Sequence, residues 1–138
     1  MSDSLIIVHQ VLNLFEKKIT GHKSNLGKEI NPDLKHNSNN FRCEEFKKNH
    51  KDTHILFSGC SVTYGQGLLE DEIWAKKLYN KIKQEIPVSG FFNLGVVGIG
   101  ICDIVANIFK YIDNFGKPDL IFILLPPIQR RYVWNKKN

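Results

Sequence analysis

His54-Ile55-Leu56-Phe57-Ser58-Gly59-Cys60-Ser61-Val62-Thr63-Tyr64-Gly65-Gln66-Gly67 is the stretch on which the fold turns. Its first five residues form a short apolar run that ends in glycine, as a buried parallel strand does. The run leads into a loop with three glycines, suited to a tight turn and a close approach of backbone. Chemistry in open parallel sheets sits in the loops beyond the carboxyl ends of the strands, so this loop is the first place to look for a site.

Downstream, residues 70–86 read as a helix. Glu70, Asp71 and Glu72 load its first turn with the negative charge that the helix dipole favours, and Pro87 stops it. Phe91–Leu94 reads as a second strand. Ile101–Phe115 reads as a second helix, with Ile104, Ile108 and Ile112 in one row and Gly116 closing it. Leu120-Ile121-Phe122-Ile123-Leu124-Leu125 is the third and most apolar strand. Strand, helix, strand, helix and strand at this spacing predict an α/β fold with a short parallel sheet and right-handed crossovers. The apolarity of the third strand points to mid-sheet. Crossovers to opposite faces instead put the first strand in the middle and the third at an edge. Such an edge calls for a cover: the N-terminal residues, a second subunit of a homo-oligomer, or sequence beyond Asn138.

Upstream, Leu5, Val8, Leu12, Phe15 and Ile19 are spaced as in an amphipathic helix. From Thr20 to Lys51 the chain turns irregular, with one short helix expected around Glu44–Lys48. The domain plan is therefore a helix and irregular lead-in over 1–51, an α/β domain over 52–131 and a basic tail over 132–138.

The 138 residues suffice for one domain, and 42% hydrophobic with 24% charged residues is ordinary globular usage. No apolar run approaches the ~18 residues of a spanning helix. Leu5-Ile6-Ile7-Val8 lacks the basic lead and cleavage site of a signal peptide, and a cytoplasmic location is expected. The net charge of +5 lies at the ends: nine Lys/Arg against six acids in 1–51, four against none in 130–138, but six against eight in 52–129. A nucleic-acid reader gathers positive charge on a folded face, so nucleic acid is not the expected partner. Cys43, Cys60 and Cys102 have neither disulfide nor metal-ligand spacing.

The loop after the first strand fails two familiar patterns. Five residues separate Gly59 from Gly65 and no lysine follows, so it is not a P-loop. Thr63 stands where the hydrolase elbow GxSxG has its second glycine. The pattern present is Gly-x-Ser-x-Thr-x-Gly, in Gly59-Cys60-Ser61-Val62-Thr63-Tyr64-Gly65. A second pattern, Asn93-Leu94-Gly95-Val96-Val97-Gly98, comes after the second strand. In these two blocks, over about residues 40–131, the chain resembles the SGNH (GDSL-type) hydrolases, with Cys60 where that family has aspartate. Asn40-Phe41-Arg42 is similar to a lead-in of some members.

The resemblance implies a three-layer α/β/α domain, SGNH- or flavodoxin-like, that acts on a small-molecule ester, an O-acylated carbohydrate or lipid. It implies Ser61 as nucleophile and the N–H groups of Ser61 and Gly98 as oxyanion donors, with Gly98 kept small so as not to crowd the ester carbonyl. Gly59, Cys60, Thr63, Gly65, Asn93, Gly95 and Gln129 would form the substrate surroundings. No metal or cofactor is implied. Two family blocks are missing. Pro126-Pro127-Ile128-Gln129 replaces Gly-x-Asn-Asp, with Ile128 at the position of the oxyanion asparagine. All five histidines (His9, His22, His36, His50, His54) precede Ser61, so the closing Asp-x-x-His has no counterpart. A serine without a base is a weak nucleophile. The chain is thus expected to be part of a longer esterase, a weakly active one, or a non-catalytic domain that binds a small anionic or carbohydrate ligand.

Residue by residue, simpler roles compete with catalytic ones. Cys60 reads as a small buried hydrophobe, His54 as a core or strand-end histidine, and Asp103 as a partner of the helix dipole. Asn93 reads as a holder of loop backbone. Arg130 and Arg131 read as solvated.

Overall fold

A computed structural model describes residues 34–128. The amphipathic stretch 1–20, Gln129, Arg130, Arg131 and the basic tail lie outside the described residues.

Strand β1 (Ile55–Gly59) is buried at every position. It pairs in parallel with β2 (Phe92–Asn93) on one side and with β3 (Leu120–Leu124) on the other, giving the order β2-β1-β3. The register runs Leu56 to Phe92 on one side, and Ile55 to Leu120 through Gly59 to Leu124 on the other. Among the described residues the fold is mixed α/β around a three-stranded parallel sheet. The crossover reasoning put β1 at the centre, and it lies there. The apolarity of β3 suggested mid-sheet, yet among the described residues β3 is an edge. Apolar composition states that a strand needs cover; the direction of the crossovers decides where it goes.

Alternate residues of β1 feed two apolar clusters, as the two-residue period of a strand requires. Leu56 joins Phe41, Phe92, Leu94, Ile104, Ile108 and Tyr111, while Ile55 and Phe57 join Ile73, Ala75, Tyr79 and Phe91. The first cluster includes the buried face of α3 (Ile101–Phe115), whose bounds match the expectation. Asp103 Oδ2 accepts the Gly100 N–H at 3.1 Å, closing the first turn, so its role is a specific cap as well as a dipole partner.

The first predicted helix begins later than its charges suggest. A short α1 (Ser61–Tyr64) comes directly after β1, and Glu70–Glu72 form a 3₁₀ turn in which Glu72 Oε2 accepts the Leu69 N–H at 2.8 Å. Ile73 is extended, and α2 runs over Trp74–Glu85. Ile73 and Ala75 are both fully buried. Two residues two apart on a helix point about 200° from each other, so burying both requires the break at Ile73.

The expected helix at Glu44–Lys48 is absent. Both glutamates are used elsewhere: Glu44 Oε1 accepts the Phe91 N–H at 3.2 Å, and Glu45 takes the Ser38 N–H and hydroxyl at 2.7 and 2.6 Å. Asn37 staples this stretch. Its Oδ1 accepts the N–H groups of Asn39 and Phe41, both at 3.0 Å, and its Nδ2 donates to the Glu44 carbonyl at 3.0 Å. Phe46 packs against Phe41, Tyr111 and Phe115 at ring separations of 5.5, 4.9 and 5.1 Å. Residues 37–46 therefore share the core of the α/β unit and lie along the outer side of β2. Among the described residues, no helix is long and apolar enough to cross a membrane.

Candidate functional site

The loops beyond the carboxyl ends of β1 and β2 are locked together by one side chain. Asn93, 1% exposed at the end of β2, donates from Nδ2 to the Thr63 carbonyl at 2.7 Å and accepts the Gly95 N–H on Oδ1 at 2.8 Å. The two sequence blocks are thus one structural unit. Gly95 makes the approach possible: a Cβ there would run into the backbone of Thr63 and Tyr64. Asn93 was expected to hold loop backbone, and it does.

Ser61 opens α1, immediately after the buried Cys60, and is half-exposed. Its hydroxyl points to the Cys60 sulfur at 4.0 Å, a contact too weak to hold it. The single turn of α1 ends at Gly65, in the left-handed region with φ of 80°. There the N–H groups of Gly65 and Gln66 both donate to the Ser61 carbonyl, at 3.0 and 3.1 Å. Thr63 is fully buried, and its Oγ1 accepts the indole N–H of Trp74 at 3.2 Å.

Burial sorts the candidate residues. Ser61 is partly exposed and Gly98 is exposed beyond β1 and β2. Gly59, Cys60, Thr63, Gly65, Asn93 and Gly95 are buried in the frame beneath them. Position 98 also favours glycine on backbone grounds. A Cβ there would meet no protein atom within 4 Å; the residue has φ of 82°, a conformation that side chains disfavour. In the third loop Pro126 is buried and Ile128 is 69% exposed.

The three described imidazoles each have a hydrogen-bond partner other than Ser61. His36 Nε2 lies 3.0 Å from the Tyr64 hydroxyl, and His50 Nε2 lies 2.9 Å from the Lys47 carbonyl. His54, at the opposite end of β1, is 3% exposed, stacks on His50 at 3.6 Å and lies with Nε2 2.7 Å from the Tyr111 hydroxyl. Burial, with His50 alongside, pushes the His54 pKa down to about 4 against the smaller upward pull of Asp119 and a hydrogen bond to the Lys117 backbone. This is the core histidine the sequence suggested. Burial pushes the Cys43 thiol up, which makes it inert. Among the described residues no cluster of His, Cys, Asp or Glu has the makings of a metal site.

Sequence reading gave little weight to Arg42. It is 5% exposed, and its guanidinium reaches 22 to 26 residues along the chain to the carbonyls of Tyr64, Gly65 and Leu68, at 3.3, 2.6 and 2.8 Å. The one signal was its place in Asn40-Phe41-Arg42, where Asn40 takes a positive φ of 64°.

Compared with known families, curated proteins and solved structures, the chain matches none of them.

Proposed function

We propose that this chain is an SGNH-like three-layer α/β/α domain whose Ser61 occupies the nucleophile position of an acyl-ester hydrolase, with low activity toward small O-acyl carbohydrate or lipid esters. The observation that carries the reading is the Asn93 clasp. One buried amide joins the loop that bears Ser61, which is partly exposed, to the loop that bears the exposed Gly98. Chemically, an acyl-transfer site needs a hydroxyl at a solvent-open turn and backbone N–H groups nearby to meet the developing oxyanion. Helices that contribute to different apolar clusters on alternate residues of β1 fit a sheet covered on both sides.

Weak turnover is the consequence of the residues around Ser61. Among the described residues its hydroxyl has a sulfur contact alone, and Ile128 stands in place of an amide donor. Loss of one oxyanion donor typically costs ~10²–10³ in turnover.

The engagement of His36, His50 and His54 elsewhere favours a second reading, a non-catalytic domain that binds a small anionic or carbohydrate ligand at the same face. A fluorophosphonate probe separates the two. Covalent labelling of Ser61, with slow p-nitrophenyl acetate hydrolysis that disappears in Ser61→Ala, is the expected result. An unlabelled Ser61 in folded protein removes the hydrolase reading.

A further inference from the structure

The turn that carries Ser61 cannot hold itself. A helix of one turn closes few bonds of its own, and nucleating one is unfavourable without outside support. At its carboxyl end the carbonyl of Tyr64, and that of Leu68 further on, need donors, while the Gly65 carbonyl already takes the Leu68 N–H at 3.1 Å. All three are met by Arg42. The guanidinium carbon also lies 5.7 Å from the centre of the Tyr64 ring, against which His36 stacks at 5.8 Å.

Arg42 is an expensive way to satisfy carbonyls. A buried cation without a carboxylate partner costs several kcal/mol in desolvation, and among the described residues no carboxylate bonds to it; Glu70 acts from a distance and is itself bridged to Lys76 at 2.8 Å. A purely space-filling role would be met by methionine. What methionine lacks is the planar fork that reaches several acceptors at once, a geometry that lysine's single ammonium also fails to reproduce. The acceptors belong to one short segment, and the first residue of that segment's helix is Ser61.

We infer that Arg42 is the positioning residue of the Ser61 turn: its guanidinium fixes the carboxyl end of α1 and so sets where the Ser61 hydroxyl stands. The inference rests on the reading of Ser61 as the reacting group. It also makes residues 36–42, which lie outside the β1–β3 unit, part of the site.

The test uses the full chain with Arg42→Met, Arg42→Lys and Ser61→Ala. Two quantities are read: the rate of fluorophosphonate labelling at Ser61, and amide exchange at Gly65, Gln66 and Leu68 against Leu56 and Phe57 in β1. Arg42→Met is expected to slow labelling about tenfold to a hundredfold, the scale of a misplaced reacting group. It should release the turn amides while those of β1 stay protected. Arg42→Lys should fall between, and methylguanidinium added to Arg42→Met should restore part of the rate. Labelling of Arg42→Met at the wild-type rate overturns the inference. So does a loss of protection that is uniform across β1 and the turn, with no response to methylguanidinium. If the wild-type chain is not labelled, the hydrolase reading falls and the exchange data decide alone. Turn amides of Arg42→Met that exchange as in wild type overturn the positioning role; selective release upholds it.

Discussion

The two edges of the sheet are treated in opposite ways. β2 has only two residues, and its outer side is sheathed. The Glu44 N–H donates to the Phe91 carbonyl at 3.3 Å, the Glu44 carboxylate takes the Phe91 N–H in return, and Phe91, Phe92 and Leu94 are all buried. β3 is longer and more apolar, yet Leu120, Ile121, Ile123 and Leu124 are 43%, 38%, 44% and 40% exposed. Among the described residues β3 pairs with β1 and with nothing on its other side. Residues 37–46, the described part of the lead-in, lie along β2 instead. A strand's hydrophobicity therefore measures its demand for cover. Whether the demand is met depends on which segment arrives beside it.

The largest test of this contrast is a pair of truncations. Phe41→Ala removes a fully buried ring from the cluster beside β2 and should cost about 3–5 kcal/mol, whereas Ile121→Ala on β3 should cost under about 1 kcal/mol. Urea unfolding of the two variants measures both. Equal losses would mean that β3 is covered in solution as well as β2 is.

Next in size is acid sensitivity at His54, which heads the central strand and is tied to β3's side by the Asp119 carboxylate, acceptor of its N–H at 2.8 Å. Its folded pKa of about 4 lies below the ordinary value of 6.5. The unfolded chain thus takes up this proton more readily than the folded one. The contribution is fully present above pH 6.5 and is lost as the pH falls from 6.5 towards 4, about 3 kcal/mol in all. Stability measured at pH 7, 5.5 and 4.5 should fall along this line in wild type and flatten in His54→Gln. An unchanged slope in that variant would assign the acid loss to other groups.

Ile123→Lys should alter folding stability by no more than about 0.5 kcal/mol while lowering any tendency to associate, because a charge on an open edge blocks strand pairing. Sedimentation over a range of concentrations reads the association. A large loss of stability would show that the edge is packed.

The smallest effect is expected at Ser58, opposite Ile123 in the register. Its hydroxyl is buried and has no hydrogen-bond partner among the described residues. Ser58→Ala should be neutral or slightly stabilising, by less than about 0.5 kcal/mol, since an orphaned hydroxyl gives way to a methyl group. A clear loss in a melting experiment would reveal a partner on the β3 side.

The sequence by itself determined the elements whose signals are local. Ile101–Phe115 could be read because its apolar row repeats within a turn and glycines bound it; β1 and β3 could be read as apolar runs between turn residues. The Gly59–Gly65 and Asn93–Gly98 patterns also pointed to the loops that Asn93 joins. Only the tertiary structure decided the rest. Helix α2 starts at Trp74 because Ile73 and Ala75 must both be buried, although the acids at 70–72 look like a first turn. The helix expected at 44–48 is missing because Phe91 and Ser38 claim its glutamates. Arg42 finds its carbonyls more than twenty residues away, beyond the reach of any periodicity. The physical reason is common to all three. Local patterns report what a segment prefers, while burial and hydrogen-bond satisfaction depend on distant groups that only folding brings beside it.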